Sequence, residues 1–205
     1  KLNKEVIISG FILGFLLFLG FASQTMGLKY TTATKSGFIT GLFVIFTPIL
    51  QTIIEQRKPT RGNIIGIFLV LAGLILLSGK GDSVTSLLTE LGSSFNKGDF
   101  LTLLCAFFFA MYIVYLDMVC RKYEYMLLVF LQIAVTAIFG YFTAFLFTNI
   151  SFETITFNLT ENLFYSFIYT AILATIVTTI IHTKYQIYVS PTEASIIFSL
   201  EPIFA

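Results

Sequence analysis

The chain has 205 residues, 57% of them hydrophobic and only 11% charged, and a formal net charge of +1. Soluble domains carry about a quarter charged residues, so this composition excludes a surface wetted on all sides. The near-neutral balance gives no attraction for nucleic acid or an acidic partner, and an integral membrane protein is the reading that remains.

A bilayer core about 30 Å thick takes about 20 mainly apolar residues per helix. By that ruler the spans fall near 6–28, 32–54, 62–79, 99–120, 126–148 and 162–182. A seventh begins near 190 and is cut by the end of the chain. The runs are too continuous for barrel strands, which would alternate apolar and polar residues. EQRKPTRG (55–62), SGKGDS (78–83) and NKGD (96–99) separate them with turn chemistry and charge. The chain starts at Lys1 without a methionine and stops at Ala205 inside an apolar run, so a piece of a longer protein is expected. Cys105 and Cys120 share one predicted helix, about 22 Å apart along its axis, and read as apolar fillers rather than a disulfide or metal pair.

Alternate connections carry unequal positive charge. One side holds Lys1, Lys4, Arg57, Lys58, Arg61, Arg121, Lys122 and Lys184; the other holds Lys29, Lys35, Lys80 and Lys97. The richer side is expected in the cytoplasm. Tyr30, Tyr123, Tyr125, Tyr165, Tyr185 and Tyr188 stand near span ends, where amphipathic rings anchor at the interface.

Two stretches repeat. QTMGLKYTTATKSGFITGL (24–42) and HTKYQIYVSPTEASIIFSL (182–200) align at an offset of 158. Thr25 then meets Thr183, Tyr30 meets Tyr188, Thr34 meets Thr192, Ile39 meets Ile197 and Leu42 meets Leu200. Gly37 and Gly41 fall on Ser195 and Ser199, a small-xxx-small pair in each copy that is expected to pack helices closely. The second copy begins five spans after the first, so the two would cross the membrane in opposite directions. Inverted repeats of that kind build secondary transporters, with the substrate near the midplane.

At these residues the chain resembles a family. GLKYTTATKSGFITGLFVIFTPIL (27–50) and PTRGNIIGIFLVLAGLILLSG (59–79) look like the first half of an EamA-type member of the drug/metabolite transporter superfamily. KGDFLTLLCAFFFAMYIVYLD (97–117) and SPTEASIIFSLEP (190–202) look like the second. The resemblance implies an all-α polytopic membrane bundle of ten helices in two inverted five-helix repeats, of which about six complete helices and one partial helix are present. Residues 1–80 would be the last three helices of the first repeat, and 81–96 an extracytoplasmic connection. Residues 97–205 would be the second repeat, truncated within its fourth helix.

Glu201 is the candidate that stands out. Nine residues beyond Thr192, about 13.5 Å along a helix, it reaches the middle of the bilayer beside Pro202. An ionisable group at that depth is by default functional, either binding a cationic group or carrying a proton. The alternative is a neutral carboxyl that locks helices together through a Ser, Thr or Tyr partner. Tyr112 and Gln132 are further candidates for the substrate or proton pathway, and Gln24 and His182, equivalent by the repeat, are candidate gates. Asp117 is expected to pair with Arg121 one turn on. Gly10/Gly14, Gly37/Gly41 and Gly62/Gly66 form GxxxG patterns, read as packing within the chain; nothing supports a homodimer.

Rival classes find less support. Gly79-Lys80-Gly81-Asp82 matches an intramembrane aspartyl protease pattern, but no second buried aspartate accompanies it. No phosphate-cradling loop or carbonyl filter motif occurs, which leaves an intramembrane enzyme, channel or receptor as the weaker alternative. The expectation is a non-enzymatic secondary transporter of a small organic metabolite, amino-acid-like or amphipathic, working by alternating access in a bacterial inner membrane. Its partners would be the lipid bilayer, the substrate and, as a coupling ion, protons, with no cofactor and no metal.

Overall fold

The computed structural model describes residues 3–78, 95–149 and 160–200. Residues 81–94 of the connection expected at 81–96, the GxGD pattern at 79–82, residues 150–159 and Glu201 lie outside the described residues.

Among the described residues the structure is helical and without strands: α1 (Lys4–Leu28), α2 (Ala33–Gly41), α3 (Phe43–Ile54), α4 (Arg61–Ser78), α5 (Lys97–Cys120) and α6 (Tyr125–Asn149). A sixth run follows as α7 (Glu161–Ile168), a π-helical segment (Tyr169–Val177), α8 (Thr178–Tyr185) and a 3-10 turn (Gln186–Tyr188), and then α9 (Pro191–Phe198). Among the described residues five runs are long and apolar enough to cross a membrane: Lys4–Leu28, Ala33–Ile54, Lys97–Cys120, Tyr125–Asn149 and Glu161–Tyr188. The spans expected at 6–28, 32–54, 99–120 and 126–148 agree with these runs to within two residues. The one expected at 162–182 runs on to Tyr188, and the one expected at 62–79 is α4, whose apolar stretch Arg61–Leu76 is shorter than the five.

Two details were not foreseen. The second span is interrupted at Leu42, which closes α2 through its N–H to Ile39 and Thr40 and opens α3. Pro48 follows inside α3, where its ring removes a backbone donor. The sixth span opens into π-helical turns with no Pro or Gly to mark them, and the Thr175 hydroxyl reaches back five residues to the carbonyl of Thr170 (2.8 Å).

The chain packs as two compact units, Lys1–Phe18 with Val119–Tyr188 and Leu19–Met118 with Val189–Ala205. In the first unit, small residues let α1 approach α6. A Cβ on Gly10 would strike the Leu131 side chain, and one on Gly14 would lie 2.6 Å from the Gln132 carbonyl oxygen. The Thr136 hydroxyl donates to the Gly14 carbonyl across that contact (2.9 Å). Close backbone approach of this kind replaces the hydrophobic drive that lipid does not supply. Phe139 fills the space beside it, its ring 5.2–5.8 Å from those of Phe11, Phe15 and Phe18.

In the second unit α5 is the central helix. Cys105, Ala106 and Ala110 are fully buried, and their small side chains let neighbouring helices close on it. Gly20 on α1 meets Phe109, Gly41 on α2 meets Leu74 on α4, and Gly66 on α4 meets Ile196 on α9. Threonine hydroxyls within the helices turn back on their own carbonyls, as Thr47 does to Phe43 (2.7 Å) and Thr52 to Pro48 (2.7 Å). That satisfies a donor where no water reaches.

Candidate functional site

The second unit gathers buried polar groups at two turns. The first joins α1 to α2. Thr32 caps α2 in an extended conformation, its hydroxyl accepting from the Lys35 N–H (3.2 Å). Lys35 is then in the first turn of a helix, where the positive end of the helix dipole disfavours a cation. Its ammonium leaves the helix and pairs with Asp99 Oδ2 at 2.6 Å, with Lys35 8% and Asp99 0% exposed. Asp99 is itself in the first turn of α5, which favours a carboxylate. Asn96 and Asp99 exchange hydrogen bonds as a reciprocal cap, Asn96 N–H to Asp99 Oδ2 (2.9 Å) and Asp99 N–H to Asn96 Oδ1 (3.0 Å). The Thr31 hydroxyl donates to the other carboxylate oxygen (2.6 Å).

Beneath this pair the backbones nearly touch. A Cβ on Gly98 would lie 2.6 Å from the Gly27 carbonyl oxygen and 2.8 Å from the Tyr30 carbonyl carbon. One turn further in, the hydroxyls of Ser36 and Thr102 share a hydrogen bond (3.4 Å).

The second turn precedes α9. Ser190 caps that helix in the same extended conformation as Thr32, accepting from the Glu193 N–H (3.3 Å), while the Glu193 carboxylate accepts from the Ser190 N–H (2.7 Å). Pro191 occupies the first helical position, where its missing donor costs nothing. Thr192 is fully buried, and both its N–H (3.1 Å) and its hydroxyl (2.6 Å) donate to Gln51 Oε1 on α3. Thr32 and Ser190 are separated by 158 residues, the offset at which 24–42 is set against 182–200.

The residues singled out in the sequence fall in different places. Tyr112 is buried in α5. Gln132 is fully buried in the other unit and donates from Nε2 to the Thr183 hydroxyl (3.1 Å), tying α6 to α8. Gln24 donates to the Thr40 hydroxyl at 3.4 Å, joining α1 to α2. His182 bonds Gln186 one turn on, Nε2 to Oε1 at 2.9 Å. Ser195 and Ser199 are buried, with hydroxyls returned to the carbonyls of Thr192 and Ser195. Gly41 makes the close contact expected of it, but Gly37 does not: a Cβ there would meet nothing within 4 Å. Gly37 itself is exposed, although Gly41 one turn on is buried. Asp117 lies 3.9 Å from Arg57, on the basic segment 57–61.

Sequence reasoning placed Lys35 and Asp99 at span ends and gave them no role, and it passed over Gln51 altogether. The Asn96-x-x-Asp99 and Ser190-x-x-Glu193 spacings were signals of helix starts that could have marked both turns. A shallow open cavity of about 330 Å³ lies on the face of α3, lined by Pro48, Ile49, Thr52, Ile53 and Pro59. It is apolar and contains none of these polar residues. Among the described residues no group of three His, Cys, Asp or Glu side chains could hold a metal ion.

A bundle of apolar helices with its polar groups buried and mutually bonded defines an integral, multi-pass membrane protein. The particular kind follows from similarity. The profile of the EamA-like transporter family matches residues 1–79 and 96–205, and the chain belongs to that family, part of the drug/metabolite transporter superfamily. It is 33% identical over 200 residues to an uncharacterized transporter of Archaeoglobus fulgidus, covering 96% of this chain and 58% of that protein. It is 34% identical over 86 residues to the uncharacterized transporter YyaM of Bacillus subtilis, covering 42% of this chain and 28% of that one. The chain thus spans little more than half the length of the Archaeoglobus fulgidus protein. A solved structure described as "Crystal structure of protein" superposes with a TM-score of 0.73 over 99% of this chain and 66% of its own, at 15% identity, a likeness of fold alone.

Proposed function

We propose that the complete protein is a secondary transporter that moves a small organic metabolite, amino-acid-like or amphipathic, by alternating access of two inverted repeats. The observation that carries this reading is the equivalence of the Thr32 and Ser190 caps. Two helix starts of like conformation stand at the offset where the sequence repeats, which is what two copies of one folding unit would produce. Family membership supports the same class.

In this reading residues 1–80 and 97–205 belong to different repeats, and Glu201, Tyr112 and Gln132 serve the substrate or proton pathway. Gln24 and His182, one in each copy, are gate candidates. Gln132 already holds Thr183, so its part in a pathway would require that bond to exchange during the cycle. Selectivity would come from aromatic and small polar walls with few charges.

The full-length protein in liposomes tests this, with a pool of labelled amino acids and related metabolites, with and without a pH gradient. Saturable flux above protein-free liposomes is expected for at least one member. No flux of any of them would count against the reading. Glu201→Gln should flatten the dependence on the pH gradient; an unchanged dependence removes Glu201 from proton coupling.

A further inference from the structure

The two turns share a helix run. Lys35 stands near the start of the Ala33–Ile54 span and Gln51 near its end, 16 residues or about 24 Å apart along the axis. Each is fastened to a residue from the later part of the chain, Lys35 to Asp99 and Gln51 to Thr192. One membrane-crossing segment therefore carries a clamp at each of its two ends, and the ends of a span face opposite sides of the bilayer. In chemistry the clamps differ. The Lys35 clamp is an ion pair with a threonine hydroxyl and a reciprocal cap behind it. The Gln51 clamp is neutral, one amide oxygen accepting two donors at a helix start.

The geometry points to these clamps, in addition to the Gln24 and His182 candidates, as gates of the transport cycle: Lys35–Asp99–Thr31 closes one side, Gln51–Thr192 closes the other, and both sets of bonds are made in the structure. This rests on the alternating-access reading and adds to it the residues that do the closing. An occluded intermediate needs both ends held, and each opened state needs one clamp broken while the other persists. Buried polar partners suit that role. Away from water each bond is retained until the surrounding helices move apart and hydrate it.

Side-selective labelling of the full-length protein in sealed vesicles of known orientation tests the assignment. Reporter cysteines are placed at Ser36→Cys beside the first clamp and Ser195→Cys beside the second, both buried positions. A membrane-impermeant maleimide is then applied from either side. Asp99→Asn should raise labelling of the Ser36 reporter from its own side by about tenfold and lower labelling of the Ser195 reporter from the other. Gln51→Leu should do the reverse.

If Asp99→Asn or Gln51→Leu does not reach the membrane, Thr31→Val and Thr192→Val weaken the same clamps by single hydroxyls. The same reciprocal pattern is expected from them at about two- to threefold. A rise at both reporters together would mean merely loosened packing and would overturn the proposal, as would no change at either. Failure here is separable from failure of the transport reading. Flux in liposomes with unchanged labelling defeats the clamps alone, whereas reciprocal labelling with no flux leaves the clamps standing and defeats the transporter.

Discussion

The turns before α2 and α9 begin alike and end differently. Thr32 and Ser190 are extended caps whose hydroxyls accept from the backbone N–H three residues on, and those third residues are Lys35 and Glu193. Glu193 is suited to a helix start. It folds back on the Ser190 N–H, and its turn is completed locally, with a neutral amide from α3 as the outside partner. Lys35 is unsuited to its position and reaches across to Asp99, so the first turn is completed only by another helix. A change of charge at one equivalent position thus converts a self-contained cap into a long-range fastening. The lesson is that a shared backbone register does not imply a shared energetic role.

Substitutions in the full-length protein, read by thermal unfolding in detergent, sharpen or break that comparison. Asp99→Ala should have the largest effect, since removing one partner of a buried pair leaves the other charge exposed to an apolar interior, and a loss of about 3 kcal/mol is expected. Glu193→Gln in the second turn should cost well under half of that; equal losses would erase the distinction between charged and self-contained turns. Gly98→Ala should cost about 2 kcal/mol, because its methyl meets the backbone at Gly27 and Tyr30 rather than a movable side chain.

Gln51→Leu removes the acceptor of two Thr192 donors and should destabilise by about 2 kcal/mol. Restoring that loss with Thr192→Val in the same chain would show that the pair acts as a unit. Ser190→Ala and Thr32→Ala should each cost about 1 kcal/mol, the ordinary worth of a helix cap. Ser190→Ala should be the greater, since it also dismantles the capping box. Gly37→Ala should be neutral or stabilising by less than about 1 kcal/mol, as its Cβ meets open space and alanine favours the helix. A clear loss there would mean that α2 is packed on that face after all.

Much of the fold was legible because the bilayer imposes a length on every apolar run, and the runs here are cleanly divided by charge and turn residues. The span predicted at 99–120 is Lys97–Cys120, and that at 126–148 is Tyr125–Asn149. Gly10 and Gly14 meet close neighbours within the chain, whereas a Cβ on Gly37 would meet nothing within 4 Å among the described residues, because spacing identifies a small residue without saying whether a neighbour lies over it. The π-helical segment was not legible, since Tyr169–Val177 contains no residue that demands it.

Of the candidate site, the repeat register and the isolated polar residues were visible in one dimension. Their partners were not. Gln132 was seen as a lone polar group, and only folding brings Thr183, 51 positions away, within reach of its amide. Gln51 and Thr192 are 141 positions apart, and Lys35 and Asp99 are separated by most of the second span and all of the third.

The amino-acid order alone determined that the chain carries membrane-spanning helices and roughly where the apolar runs begin and end. Those are local properties, set by hydropathy, capping chemistry and residue size within a few turns. Which buried donor meets which acceptor was decided by the tertiary structure, because in a medium without water each polar side chain must find its partner on whatever helix packing brings near.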